Sequence, residues 1–392
     1  MHTFRSLRHR NYRLYFIGQM ISLVGSWMQT TALMWLAWDL THESKWPAFL
    51  MVAIIGPTLF LGVWSGGLAD RCHKHALIVR TQIGFLASAS LLTILVFAGL
   101  ITIWVLLALM VVHGVVQAID LPTRLAFVPD LVEREDLINT VALNSVQFNV
   151  ARALGPAVAG VLLATVGPGI CFLLNALSYI AVLIALSMMS GYRETTRAEK
   201  PKEVRGGFGI LREKPKLLFL ILMAGWVAVA GWPLMALLPA LSEKVLNSAA
   251  DGYSTMLSAV GIGAALAALA AATFSTERRQ EWILSIGLCC VCAALLGLSQ
   301  VKDLIQASLC CGLFGCGMIL FLATGQAMVQ LGTLDEHRGK VMGIWAMMLS
   351  GGAPLGNLIF GPAADVWGVT NVLLGQGAMM VLAVVVYWAR RI

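Results

Sequence analysis

One arginine lies inside a long apolar stretch of the sequence. Arg152 stands near the middle of residues 141–166, three positions before Gly155-Pro156. A guanidinium keeps its charge, so inside a bilayer it marks an internal cavity or a partner. Three roles stay open: pairing with a carboxylate such as Asp120 or with carbonyls that Pro156 frees, binding of an anionic substrate, and energy coupling. Each role places a permanent cation inside a helix bundle, as expected of a transporter and not of an inert anchor.

A second polar stripe precedes this arginine in the chain. Four residues at steps of four, three and four share one helical face: His113, Gln117, Asp120 and Arg124. Asp120 and Arg124 form an i,i+4 pair near the expected cytoplasmic end of the fourth span. An intramembrane histidine titrates near physiological pH, so His113 is either a proton carrier or a hydrogen-bonded interior group. Asp39, at the outer end of the first span, is a further candidate for the proton.

Uncharged polar and aromatic residues recur along several apolar segments. In the fifth segment, Ser145 and Asn149 lie on the same helical face as Arg152. The predicted cavity is large, aromatic and mostly neutral, which favours an amphipathic organic compound over a simple ion. Its candidate lining residues, each of which is alternatively a helix-packing residue, are Gln19, Ser26, Gln29, Asn149, Trp226 and Gln326.

The composition requires a membrane around these residues. Of the 392 residues, 59% are hydrophobic and only 12% are charged, and the mean hydropathy is +0.82. Soluble domains carry about 25% charged residues. Most of the eight cysteines fall in apolar runs, where a thiol acts as a small hydrophobe. The composition therefore predicts an all-α membrane protein, and we expect no metal or other cofactor.

The charges predict how the chain crosses the bilayer. The apolar runs predict twelve transmembrane helices, since a span needs about 20 apolar residues. With the N-terminus inside, only three of the Lys and Arg residues fall in the outer gaps, Lys45, Lys244 and Lys302, while Arg152 lies within a span. This asymmetry predicts a multi-pass protein of the bacterial inner membrane with both termini cytoplasmic. The net charge of +7 therefore indicates contact with the lipid bilayer, and no nucleic-acid partner is expected.

The longest polar gap divides the predicted spans into six and six. The predicted parts are an N-terminal six-helix bundle, 1–189, a cytoplasmic linker, 190–216, and a C-terminal six-helix bundle, 217–392. The halves show weak repetition, since the predicted helix bend at Gly155-Pro156 is echoed by Ala353-Pro354. Many secondary transporters are built from such repeats, with the substrate site between them.

The segment between the second and third spans resembles a known motif. The major facilitator superfamily carries G-x-x-x-D-R-x-G-R/K-R/K at this place, and four positions match: Gly66, Asp70, Arg71 and Lys74. His73 replaces the usual glycine of the motif. The resemblance implies a cytoplasmic switch loop whose charges pair with a neighbouring helix in one conformation and release it in another. The alternative is a tight turn whose basic residues only follow the positive-inside rule.

Further segments resemble the enterobactin-exporter-like branch of this superfamily, which includes siderophore and macrolide efflux proteins. The matching segments are 4–13, 120–124, 128–132, 144–160 and 338–343. Their order and spacing carry the resemblance, which extends over essentially the whole chain. The resemblance implies the major facilitator fold of two pseudo-symmetric six-helix bundles, and transport driven by a proton gradient. Members of the superfamily usually work as monomers, so a monomer is expected.

These observations predict a secondary active transporter that exports a small amphipathic organic compound, siderophore-like or drug-like, by alternating access in exchange for protons. An importer or symporter of the same fold is the alternative, and a non-transporting membrane sensor or scaffold is a third hypothesis. The sequence contains no P-loop or other catalytic motif, so we do not expect an enzyme.

Overall fold

The computed structural model describes residues 5–191, 211–212, 214–274, 279–333 and 335–390, and within these residues it contains helices and no strand. The long helices before residue 191 are α1 (Arg10–Thr41), α2 (Lys45–Arg71), α3 (Lys74–Phe97), α4 (Ile103–Phe127), α5 (Leu137–Thr165) and α6 (Pro168–Ser187). The α-helices after it are α7 (Pro215–Gly231), the short α8 (Leu234–Ala240), α9 (Ala250–Phe274), α10 (Gln280–Leu298), α11 (Leu304–Leu331), α12 (Asp335–Trp367) and α13 (Val369–Ala389). Most of the linker predicted at 190–216 lies outside the described residues.

The helices are long and apolar enough for a membrane protein. In the described part of the chain, ten helical segments have the length and hydropathy needed to cross a bilayer. One of them, Pro215–Val245, combines α7, α8 and a short π-helical turn. α1 is longer than any of these segments but buries several polar side chains, among them Gln19 and Gln29. The protein is therefore an all-helical, multi-pass membrane protein.

Short links between helices follow from local sequence. Thr102 caps α4 by accepting a hydrogen bond from the Val105 backbone N–H, and Asp303 caps α11 in the same way. Gly167 and Gly368 have positive φ values of 83° and 84° in the links before α6 and α13. Glycine adopts this conformation without the steric cost that a Cβ would add, so the chain can reverse direction between two helices within a few residues.

The first of two compact units comprises Met1–Thr41 and Ala53–Lys200. In this unit α1 packs against α5 and α6, and α3 packs against α4 and α6. Gly25 allows α1 to approach α6 closely, because a methyl group there would lie 2.6 Å from the Oδ1 of Asn175. α1 and α3 therefore carry most of the contacts that fix the polar residues described below.

The second unit comprises His42–Val52 and Pro201–Ile392. Here α11 packs between α9 and α10, α13 packs on α10, and α7 packs on α12. Small residues permit the close approach: a methyl group at Gly317 of α11 would lie 2.7 Å from the Gly287 carbonyl oxygen of α10. Helices that meet through glycine gain extensive van der Waals contact between their backbones, which is a common basis of packing in membranes.

The segment that resembles the superfamily motif is mostly helical. α2 continues to Arg71 and α3 begins at Lys74, so only two residues connect them. The expectation of a loop that begins at Gly66 was therefore wrong in extent, because the glycine does not end the helix. The side chains of Asp70 and Arg71 lie outside those that the structure describes, and the role of Gly66, Asp70 and Arg71 as a conformational switch stays a prediction.

Candidate functional site

A buried ion pair connects α3 and α4 inside the first unit. Asp120 is fully buried, and its Oδ2 lies 2.5 Å from the Nε of Arg124, one turn later in α4. Its Oδ1 accepts hydrogen bonds from Thr81 Oγ1 at 2.6 Å and from Gln82 Nε2 at 3.0 Å, both in α3. The charge of the carboxylate is thus compensated by one cation and two donors, as a buried acid requires.

Two tyrosines bring α1 and α6 to the same cluster. Tyr15 of α1 and Tyr179 of α6 lie close enough to Arg124 and Asp120 to interact with their charges. Tyr15 is only 4% exposed and Tyr179 only 3%. The ion pair therefore has neighbours on α1, α3 and α6 as well as on its own helix, α4. A change in the charge of Asp120 alters the electrostatic interactions with all of these neighbours.

His113 lies against an aromatic stack on the α3 side of α4. Its ring centroid is 4.8 Å from that of Phe85, which stacks in turn on Tyr179 at 5.4 Å with an interplanar angle of 16°. The Nδ1 of His113 is buried and has no hydrogen-bond partner among the described residues. His113 and Asp120 both face α3, and the stack connects the histidine to the tyrosine beside the ion pair.

A polar network joins α1 to α6. Asn175 Nδ2 donates to Gln29 Oε1 at 2.7 Å, and the hydroxyls of Ser26 and Tyr179 lie 3.3 Å apart. Two of the predicted cavity residues, Ser26 and Gln29, therefore bond to α6 of the same unit. The partners in α6 were missed in the sequence, although Asn175 is a polar residue within the apolar run 168–187.

Arg152 packs on an aromatic ring of α1. It is 8% exposed, and its guanidinium carbon lies 5.6 Å from the ring centroid of Trp27. Trp27 also makes an edge contact with Phe148 at 5.6 Å. Gly155 permits this arrangement because a methyl group there would overlap the Trp27 side chain. A cation over an indole face is stabilised by the ring quadrupole, so this contact fixes α5 against α1.

The Asp120 carboxylate, which the sequence offered as a partner of Arg152, bonds to Arg124 and to the two donors of α3. α5 runs without a break through Pro156, which is buried, and α12 runs through the buried Pro354. The structure thus keeps both prolines inside continuous helices.

The remaining cavity candidates lie in different surroundings. Gln19 is buried and its Oε1 has no hydrogen-bond partner in the described part of the chain, while Asn149 donates to the Ser145 carbonyl oxygen. Trp226 donates from Nε1 to the Met379 carbonyl oxygen, which ties α7 to α13. Gln326 of α11 is exposed, as is Asp39 near the end of α1.

Ion pairs also connect segments of the first unit outside the helix interiors. Lys74, the motif residue whose side chain is described, forms a 2.7 Å ion pair with Asp130, and the two side chains are 9% and 3% exposed. At the start of α5, Asp136 lies within 3.0 Å of His9, Arg5 and Arg8. The hydrogen bond from His9 and the charges of the two arginines lower the pKa of Asp136 below its ordinary value of 3.8.

Comparison with known proteins identifies the architecture. The sequence model for transmembrane secretion effectors matches residues 1–392. The staphyloferrin A transporter of Staphylococcus aureus is 25% identical over 385 residues, which cover 96% of this chain and 95% of that protein. The enterobactin exporter EntS of Shigella boydii is 27% identical over 379 residues, which cover 95% and 86%. The crystal structure of the nucleoside transporter NupG has a TM-score of 0.75 at 13% identity and covers 98% of each chain.

Proposed function

Because the chain belongs to the transmembrane secretion effector family of the major facilitator superfamily, we propose that it exports a small amphipathic organic compound in exchange for protons. The family and its relatives make it a bacterial membrane transporter of the siderophore and drug efflux type. Export, proton coupling and a siderophore-like or drug-like substrate are the specific parts of the proposal.

The observation that carries the proposal is the buried ion pair of Asp120 and Arg124. Protonation of Asp120 would remove the charge that compensates Arg124, and a buried cation without its partner is costly. Arg124 then gains by moving toward other acceptors, such as the hydroxyl of Tyr15. One proton therefore changes the preferred arrangement of α1, α3 and α4, which is the coupling that an antiporter needs.

The same geometry limits the roles of the other candidates. We assign Arg152 to positioning α5 on α1, since its guanidinium lies on Trp27. His113 is a second proton candidate, because its buried Nδ1 faces no acceptor or donor in the described residues. Asp39 is exposed and serves as a control carboxylate.

We further propose the topology that the charges indicate. Twelve helices in two six-helix bundles, 1–189 and 217–392, work by alternating access, with the linker 190–216 between them in the sequence. Both termini lie in the cytoplasm, because nearly all basic residues then fall on the cytoplasmic side. The protein acts as a monomer in the inner membrane.

The experiment uses everted membrane vesicles with an acidic interior. Siderophores, macrolides and dyes are offered outside, and uptake is measured for the wild type, Asp120→Asn and Asp39→Asn. We expect uptake of at least one compound by the wild type and Asp39→Asn, and a loss of its proton dependence in Asp120→Asn. Uptake only in right-side-out vesicles would favour import, and equal proton dependence in all three proteins would refute the role of Asp120.

A further inference from the structure

A groove on the second unit lies apart from the candidate site. It is formed by α10, α11 and α13 and has a volume of about 330 Å³. Its walls are almost entirely apolar, with Trp282, Ile286, Cys289, Ala293, Leu313 and Trp388 among the lining residues. Trp282 is 54% exposed and Trp388 42%. Lipid tails are as apolar as these side chains, so the groove is a concave surface that suits contact with lipid.

One end of the groove is held in a fixed geometry. The rings of Trp282 and Trp388 meet edge to face at 5.7 Å. Next to them, the hydroxyl of Tyr387 donates to the Glu281 carbonyl oxygen at 3.2 Å. Tryptophan concentrates at the membrane–water interface, so this end of the groove belongs at the level of the lipid headgroups.

Two arginines lie close in the sequence to the tryptophans at this end of the groove. Arg279 precedes α10 by one residue, three positions before Trp282, and is exposed. Arg390 follows α13, two positions after Trp388, and its guanidinium carbon lies 5.3 Å from the Phe219 ring centroid. An apolar channel that ends beside two cations is complementary to an acyl chain that ends in a phosphate.

We propose that this groove binds one acyl chain of an anionic phospholipid whose phosphate is held by Arg279 and Arg390. A volume of about 330 Å³ is near the lower end of small-ligand sites, which span about 300–1,000 Å³, so a single chain fits better than a whole lipid. The site does not depend on transport or on the substrate.

The first test is native mass spectrometry of the full-length protein from nanodiscs with equal amounts of phosphatidylglycerol and phosphatidylcholine. We expect the protein to retain phosphatidylglycerol in preference to phosphatidylcholine. Each of Arg279→Gln and Arg390→Gln should weaken its binding about fivefold, and the double variant about 30-fold. Arg80→Gln removes an exposed arginine of α3 that does not line the groove and serves as the control. Equal retention of both lipids, or an equal loss in Arg80→Gln, would overturn the proposal.

A second measurement needs no variant. Cys289 lines the groove and is exposed, whereas the other seven cysteines are buried or half-buried. Alkylation of Cys289 by a maleimide in detergent should slow as phosphatidylglycerol is added and not as phosphatidylcholine is added. Equal slowing by both would overturn the proposal in favour of ordinary annular lipid, and no slowing by either would show that no lipid occupies the groove.

Discussion

The contact of α10 with α11 gives a direct test of the packing. Gly317 and Gly287 face each other across this interface. A methyl group at Gly317 would lie 2.7 Å from the Gly287 carbonyl oxygen and 2.8 Å from the Val291 backbone nitrogen. Both neighbours are backbone atoms, so no side chain can turn away. We therefore expect Gly317→Ala to push the two helices apart.

The size of the effect follows from these distances. Ordinary contact begins near 3.4 Å, so the helices must separate by about 0.7 Å. A gap of about 0.5–1 Å forfeits a quarter to a half of each dispersion contact across the interface. Inserting a methyl group into a well-packed core costs about 1–3 kcal/mol, which is the loss of unfolding free energy that we expect.

Unfolding of the purified protein in mixed micelles measures this loss. Gly375→Ala is the matched control, because a methyl group at this position of α13 meets no atom within 4 Å. Alanine favours a helix over glycine by up to about 1 kcal/mol, so the control should be neutral or slightly stabilised. Equal stability of Gly317→Ala and Gly375→Ala would refute the packing described here.

Three further predictions concern the first unit. Because the pKa of Asp136 is lowered in the folded protein, its ion pairs stabilise the fold at pH values above the ordinary pKa of 3.8, and this stabilisation is lost as the pH falls through the folded pKa. The difference in melting temperature between the wild type and Asp136→Asn should therefore vanish in acid. A difference that stays constant with pH would contradict this. Lys74→Met should lower the free energy of unfolding by about 3–5 kcal/mol, because it removes the cation of a buried ion pair, and the double variant with Asp130→Asn should recover part of this loss in the same unfolding assay. A double-mutant cycle of Arg152→Gln and Trp27→Leu should give a coupling of about 1 kcal/mol, and no coupling would remove the contact as a source of stability.

The sequence contained enough to predict the class of fold and part of the site. The i,i+4 spacing of Asp120 and Arg124 placed them together because both lie on one helix, and the ion pair is present. The donors Thr81 and Gln82 could not be predicted, since they come from another helix whose rotation depends on the packing of side chains. For the same reason Trp27 could not be identified as the ring under Arg152.

Local structure also differed from expectation in one place. The Gly-containing motif between the second and third helices was interpreted as a loop, yet α2 continues to Arg71. A glycine inside a helix costs only about 1 kcal/mol relative to alanine, which is too little to end a helix by itself. Most of the motif is therefore helical, and only Cys72 and His73 connect α2 to α3.

The central claim is that movement of the substrate is coupled to protons through Asp120. The most direct measurement follows the luminal pH of energised everted vesicles with a fluorescent dye while a transported compound is added outside. We predict that the compound raises the luminal pH in vesicles with the wild-type protein and not in those with Asp120→Asn. Uptake of the compound without any change in luminal pH would contradict the account.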